Sequence, residues 1–109
     1  MYVVVFITAS SEQEAQRIAD ALIAARLVAC VNIIKEVKSV FWWEGKVDTA
    51  GEVLLIAKSK RAKLSGLIKA AKSVHSYQVP EIIALPIVGG EKKYLRWIDE
   101  SVKPKRKPR

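Results

Sequence analysis

The residues with the most capacity for chemistry lie in one short run, His75-Ser76-Tyr77-Gln78-Val79-Pro80-Glu81, which holds the only histidine of the chain. An imidazole nitrogen and a carboxylate oxygen are both metal donors, and the phenol of Tyr77 adds a hydrogen-bonding group between them. One imidazole is seldom a metal centre, since such sites ordinarily gather three or four ligands. Taken alone, the run reads as a helix-to-strand connector. His75 stands near a helix C-terminus, Tyr77 packs, and Pro80 forces Val79 into extended geometry and ends the helix before it. On that reading His75→Ala leaves folding and assembly intact and costs at most about 1–2 kcal/mol. No Ser or Cys is marked by sequence as a partner for the imidazole, so no nucleophile and base can be assembled and the chain reads as non-enzymatic.

The elements that must position this run follow from periodicity. Tyr2 to Thr8 is β-branched and apolar, the pattern of a strand buried on both faces and central in its sheet. Ser11-Glu12-Gln13-Glu14 has the form of a capping box, and Ala15, Ile18, Ala19, Leu22 and Ile23 then recur on one helical face. Leu27 to Ile34 reads as a second strand, interrupted by Asn32, whose amide needs partners if buried. Val37 to Trp43 and Glu52 to Ser59 flank Glu44-Gly45-Lys46 as a β-hairpin. A second helix is expected from about Lys60 to Val74, a strand from Ile82 to Val88 with Pro86 at an edge or end, and a short helix carrying Tyr94, Leu95, Ile98 and Val102. The order β-α-β-β-α-β with an added C-terminal helix predicts an α+β, ferredoxin-like antiparallel sheet. Right-handed crossovers put both main helices on one face. The other face, rich in Val and Ile, then needs cover, and a closed homo-oligomer supplies it economically.

Composition bounds the partners. The 109 residues are 50% hydrophobic and 28% charged, ordinary for one globular domain, here residues 1–102, followed by a basic tail, 103–109, expected to be disordered. Lys103, Lys105, Arg106, Lys107 and Arg109 supply five of the net +8 charges, and +3 remains for the rest. So balanced a body predicts no specific nucleic-acid partner, and the tail reads as solubilising, with weak contacts to anionic surfaces at most. No apolar run is long enough for a membrane span. Cys30 has no second cysteine to pair with, and its neighbours Val28, Ala29 and Val31 predict a buried, inert thiol in a reducing, cytoplasmic setting. One Asn, three Gln, one Cys and one Met beside many Lys and Glu match a heat-adapted composition.

Several chemistries that this fold can host are missing. The central run Leu54-Leu55-Ile56 offers bases no aromatic platform, one cysteine cannot make a copper-chaperone pair, and Thr8-Ala9-Ser10-Ser11 is not a glycine-rich phosphate loop. Five segments, however, occur together in order: Ala29-Cys30-Val31-Asn32, Phe41-Trp42-Trp43-Glu44-Gly45-Lys46, His75 to Glu81, Leu85-Pro86 and Tyr94-Leu95-Arg96-Trp97. From about Val3 to Val102 the chain thereby resembles the CutA divalent-cation tolerance family.

The resemblance implies a cytoplasmic homotrimer similar in architecture to PII signalling proteins, linked to tolerance of copper and other divalent cations, with no tightly bound cofactor. Family members described as copper-binding use a Cys on the first strand and a His pair before the Tyr. The matching positions here are Ile7, Val74 and His75, so only His75 is kept, with Glu81, Cys30 or a neighbouring subunit left to complete a Cu(II) site. Lys58, Tyr77 and Cys30 are placed at a ligand cleft between subunits. Trp42, Trp43 and Trp97 are expected to bury area at interfaces. A small anionic metabolite bound at Lys58 is the alternative ligand, and the sequence names no protein partner.

Overall fold

A computed structural model describes residues 1–104 of the chain. The tail cations Lys105, Arg106, Lys107 and Arg109 lie outside the described residues, so most of the segment expected to be disordered does too. The elements run β1 (Tyr2–Ala9), α1 (Glu12–Ala24), β2 (Cys30–Trp43), β3 (Lys46–Lys60), a 3-10 turn (Arg61–Lys63), α2 (Leu64–Ser73), β4 (Ile82–Pro86) and α3 (Lys92–Ser101). They form one four-stranded antiparallel sheet in the order β2-β3-β1-β4, with β1 inside as its β-branched sequence predicts. Cross-strand partners share a face. Val5 therefore lines up with Ala57 and Ala84, and Ile7 with Leu55 and Ile82, on the face that α1 and α2 cover. Ile18 and Leu22 of α1 and Leu67 and Ala71 of α2 complete this core.

The opposite face has less cover. There Phe6 stands between Ile56 and Ile83, and Val4 between Lys58 and Leu85. Ile83 and Leu85 are exposed. Among the described residues only α3 crosses this face, at one end, where Tyr2 Oη donates to Asp99 Oδ2 at 2.6 Å and Lys60 Nζ pairs with Asp99 Oδ1 at 2.7 Å. Ile98 and Val102 are buried beneath the helix.

The hairpin is longer than the two short runs predicted. β2 and β3 stay paired out to Trp43 and Lys46, past a bulge between Ile34 and Val37. Among the described residues the outer part has no third strand beside it, and it projects as a two-stranded arm, which stretches the molecule to 54 × 31 × 22 Å. The turn is Glu44-Gly45 alone, with φ of 50° and 78°, and Lys46 already belongs to β3. Three further boundaries shift. The second helix starts at Leu64 because β3 keeps its pairing through Lys60, and the last strand stops at Pro86, the last residue paired to β1. The second strand starts at Cys30, after Val28 has entered the core.

Candidate ligand cleft and the His75 pocket

α2 ends at Ser73, and the chain turns His75 inward beneath the end of β1. The imidazole is fully buried. Its Nε2 lies 2.7 Å from the Thr8 carbonyl oxygen, and its Nδ1 lies 3.1 Å from the Tyr77 amide. An amide N–H can only donate, so Nδ1 accepts, and the ring proton sits on Nε2 and is donated to Thr8. Both nitrogens are therefore committed, and a metal bound to either displaces a hydrogen bond. The connector reading, in which the imidazole near the helix end contributes little, is corrected here: the side chain is sealed by β1, Tyr77 and Glu14.

Glu14 is the residue that sequence reasoning missed. It is 2% exposed although it sits in the first turn of a surface helix. The predicted cap is present on one side, with Ser11 Oγ accepting from the Glu14 amide at 3.1 Å. The Glu14 carboxylate departs from the capping-box pattern. Its Oε1 accepts from the amide and hydroxyl of Ser10 at 2.9 and 3.0 Å, and its Oε2 accepts from the Ser76 amide at 2.8 Å. It thereby ties the start of α1 to the His75 loop. Burial works against its charged form, but hydrogen bonds from Ser10 and Ser76 outweigh that and hold its pKa down to about 2. Tyr77 stacks at a tilt 4.9 Å from His75 and donates to Glu52 Oε2 at 2.8 Å. Burial, then the bond to Glu52 and its charge, with a further push from Glu14, raise the Tyr77 phenol to about 12.

A second polar cluster lies on the open sheet face. Cys30 and Lys58 are direct cross-strand partners, and Lys58 Nζ donates to Asn32 Oδ1. Asn32 thus finds its partner in a lysine and not in the core. Cys30 Sγ is 3.6 Å from Tyr94 Oη, and Tyr94 in turn packs on Trp97 with centroids 5.4 Å apart. The contact with Cys30, then burial, raises the Tyr94 phenol above its ordinary value. Cys30 is half-buried, which corrects the expected inert core thiol. Strand alternation sends Val31 and Ile33 to the core and leaves Cys30 and Asn32 on the other side.

Within one chain the residues assigned to a single cleft fall into two groups. Lys58 and Cys30 are together, whereas Tyr77 sits beside Glu52, six positions back along β3 and so about 20 Å away. Glu81 is exposed just before β4. Among the described residues no group of three or more His, Cys, Asp or Glu side chains is placed to hold a metal ion. Trp42 is 75% exposed on the arm, its cross-strand partner Val47 and nearby Val40 are also open, and Trp43 and Trp97 are 44% exposed. Among the described residues no helix is long and apolar enough to cross a membrane.

This geometry defines a ferredoxin-like α+β domain with one helix-covered sheet face, one face largely open, and a projecting aromatic arm. The family model for CutA1 divalent ion tolerance protein matches residues 3–101, and the chain belongs to that family. It is 46% identical to the divalent-cation tolerance protein CutA of Archaeoglobus fulgidus, over 94% of this chain and 99% of that one. It is also 46% identical to the chloroplastic CutA 1 of rice, Oryza sativa, over 93% of this chain and 57% of the relative, so it spans little more than half of that plant protein. The solved structure of the periplasmic divalent cation tolerance protein CutA from Archaeoglobus fulgidus superimposes with a TM-score of 0.92 over 94% of this chain and all of that one. That of the divalent cation tolerance protein from Thermus thermophilus gives 0.91 at 44% identity, over 93% and 98%.

Proposed function

We propose that this chain acts as a non-enzymatic homotrimer in the handling of divalent cations, copper among them, in a reducing, cytoplasmic setting. The carrying observation is the open sheet face, where Val4, Phe6, Leu54, Ile56, Ile83 and Leu85 form a continuous apolar surface that a monomer would leave in water. Family membership supports the cation role, and the projecting arm supports assembly, because its exposed Val40, Trp42 and Val47 offer area for a neighbouring subunit. Within this reading His75 pins the loop that leads into β4, and cation contacts fall at clefts completed by neighbouring subunits, with Cys30 and Glu81 as this chain's donors.

Calorimetric titration of Cu(II), with Zn(II) as control, into wild type and His75→Ala tests it. The expected result is saturable Cu(II) binding with the same stoichiometry in both proteins. Binding lost in His75→Ala, with the native mass unchanged, would make the imidazole a ligand and overturn the pinning role.

One observation favours a second ligand class for the same face. Lys58 meets a neutral amide, and among the described residues no carboxylate forms a salt bridge with it. An ammonium so placed suits a small anionic metabolite. Thermal shift with a panel of anionic metabolites, repeated on Lys58→Ala, separates this reading from direct cation binding, which the substitution leaves in place.

A further inference from the structure

The hydrogen bonds around the buried imidazole use up both of its nitrogens, and one of them is reversible by a single proton. His75 Nε2 donates to the Thr8 carbonyl at 2.7 Å, and Nδ1 accepts from the Tyr77 amide at 3.1 Å. A proton added to Nδ1 turns that acceptor into a donor facing the Tyr77 N–H, so the bond is lost. An acceptor stands ready beside it, because Glu14 Oε1 lies 3.9 Å from Nδ1. Side-chain bonds to the start of the loop come from Glu14 to the Ser76 amide, from His75 to the Tyr77 amide and from Glu52 to the Tyr77 phenol. Protonation therefore removes one tie of this set and leaves the other two.

We propose that His75 is a proton-operated latch: in mildly acidic solution Nδ1 gains a proton, exchanges the Tyr77 amide for the Glu14 carboxylate, and loosens the loop from Tyr77 to Glu81. A buried imidazolium without a partner is costly, and a carboxylate at this distance offsets that cost. Glu14 is still charged when an imidazole titrates, since hydrogen bonds from Ser10 and Ser76 overcome its burial and hold its pKa down to about 2. The Tyr77 phenol, raised to about 12, keeps its proton and its bond to Glu52 throughout. The groups that face the ring come from every side of the pocket. They are Glu14 from α1, the Thr8 carbonyl from β1, Tyr77 from the loop and, through its phenol, Glu52 from β3. Lys72, the cation in the last turn of α2, is exposed, and so is Glu81 at the far end of the loop. Ile82 follows Glu81 and pairs with Ile7, so the loosened loop pulls directly on the first pair of β4.

Nuclear magnetic resonance of the full, nitrogen-15-labelled chain tests this, and the single histidine makes the imidazole signals unambiguous. At about pH 8 the ring is expected to be the neutral tautomer protonated on Nε2, and by about pH 5 to carry both protons, the range in which imidazoles change charge. The Tyr77 amide signal should move with the same midpoint while the core methyl signals stay in place. Glu14→Gln keeps a hydrogen-bond acceptor but removes the charge, and should shift the midpoint down by at least about one pH unit. Hydrogen exchange of the Tyr77 amide in wild type, corrected for its intrinsic pH dependence, should quicken at least about tenfold between the two pH values. A ring that stays singly protonated until the chain unfolds in acid would overturn the proposal. So would a titration that leaves the Tyr77 amide signal and its exchange unmoved, or an equal midpoint in wild type and folded Glu14→Gln. If that variant does not fold, the wild-type titration and exchange decide alone.

Discussion

Replacing His75 by Ala takes the donor from the Thr8 carbonyl and the acceptor from the Tyr77 amide, and leaves a hole where a fully buried ring stood. Two unsatisfied backbone groups and a cavity cost about 2–4 kcal/mol, more than the 1–2 kcal/mol expected of a loop imidazole near a helix end. Denaturant unfolding should register that loss while the assembled mass stays unchanged, and a loss well under 1 kcal/mol would contradict the pocket. Glu14 gives a pH signature. Its folded pKa of about 2 lies below the ordinary 4.5, so its contribution is complete above about pH 4.5 and is lost as pH falls towards 2. A shift of that size corresponds to about 3 kcal/mol in all. Glu14→Gln should therefore be clearly less stable than wild type at pH 7, with the gap narrowing by pH 3, and a gap independent of pH would rule out the charged form as its source. Neither role is legible in sequence. A Glu three positions after Ser11 reads as half of a capping box, and the partner that buries it, Ser76, lies 62 residues away. His75 likewise depends on Thr8, 67 positions distant, and no periodicity reports such a contact.

Elements were more readable than residues, because alternation and helical spacing are local. The β-branched run Tyr2 to Thr8 announced a central strand, Ser11 announced the start of α1, and Pro86 pointed to an edge or strand end, which it occupies on the outer strand β4, although that strand was expected to run on to Val88. The length of the hairpin was hidden. Val37 to Trp43 and Lys46 to Glu52 pair outside any core, and the bulge after Ile34 shifts the alternation that would have joined the two halves of β2. The arm's turn carries a testable mismatch, since Glu44 adopts φ 50° where Asn or Gly is at ease. Glu44→Asn should raise stability by about 0.5–1 kcal/mol, and Gly45→Ala, at φ 78°, should lower it by about 1 kcal/mol. Thermal unfolding of both variants measures this, and the opposite order would show that the turn is not of the two-residue, left-handed kind.

For the molecule as a whole, the apolar rows on the open sheet face and the aromatic arm are two parts of one surface pattern, and the proposed trimer accounts for both. Some exposed apolar surface is ordinary, but a sheet face flanked by α3 and an arm bearing Val40, Trp42 and Val47 is more than a monomer of this size usually leaves open. Ile83→Asp places a charge in the middle of that face without touching the helix-covered core, since Ile83 is paired to Phe6 and half-exposed in the single chain. The most direct test is the native mass by sedimentation equilibrium, for wild type and Ile83→Asp, at micromolar concentration. The chain weighs 12.1 kDa, so a closed trimer gives about 36 kDa for wild type and a shift towards 12.1 kDa in the variant. A wild type that sediments as a 12.1 kDa monomer, or a variant that keeps the full trimer mass, would contradict the proposed use of this face.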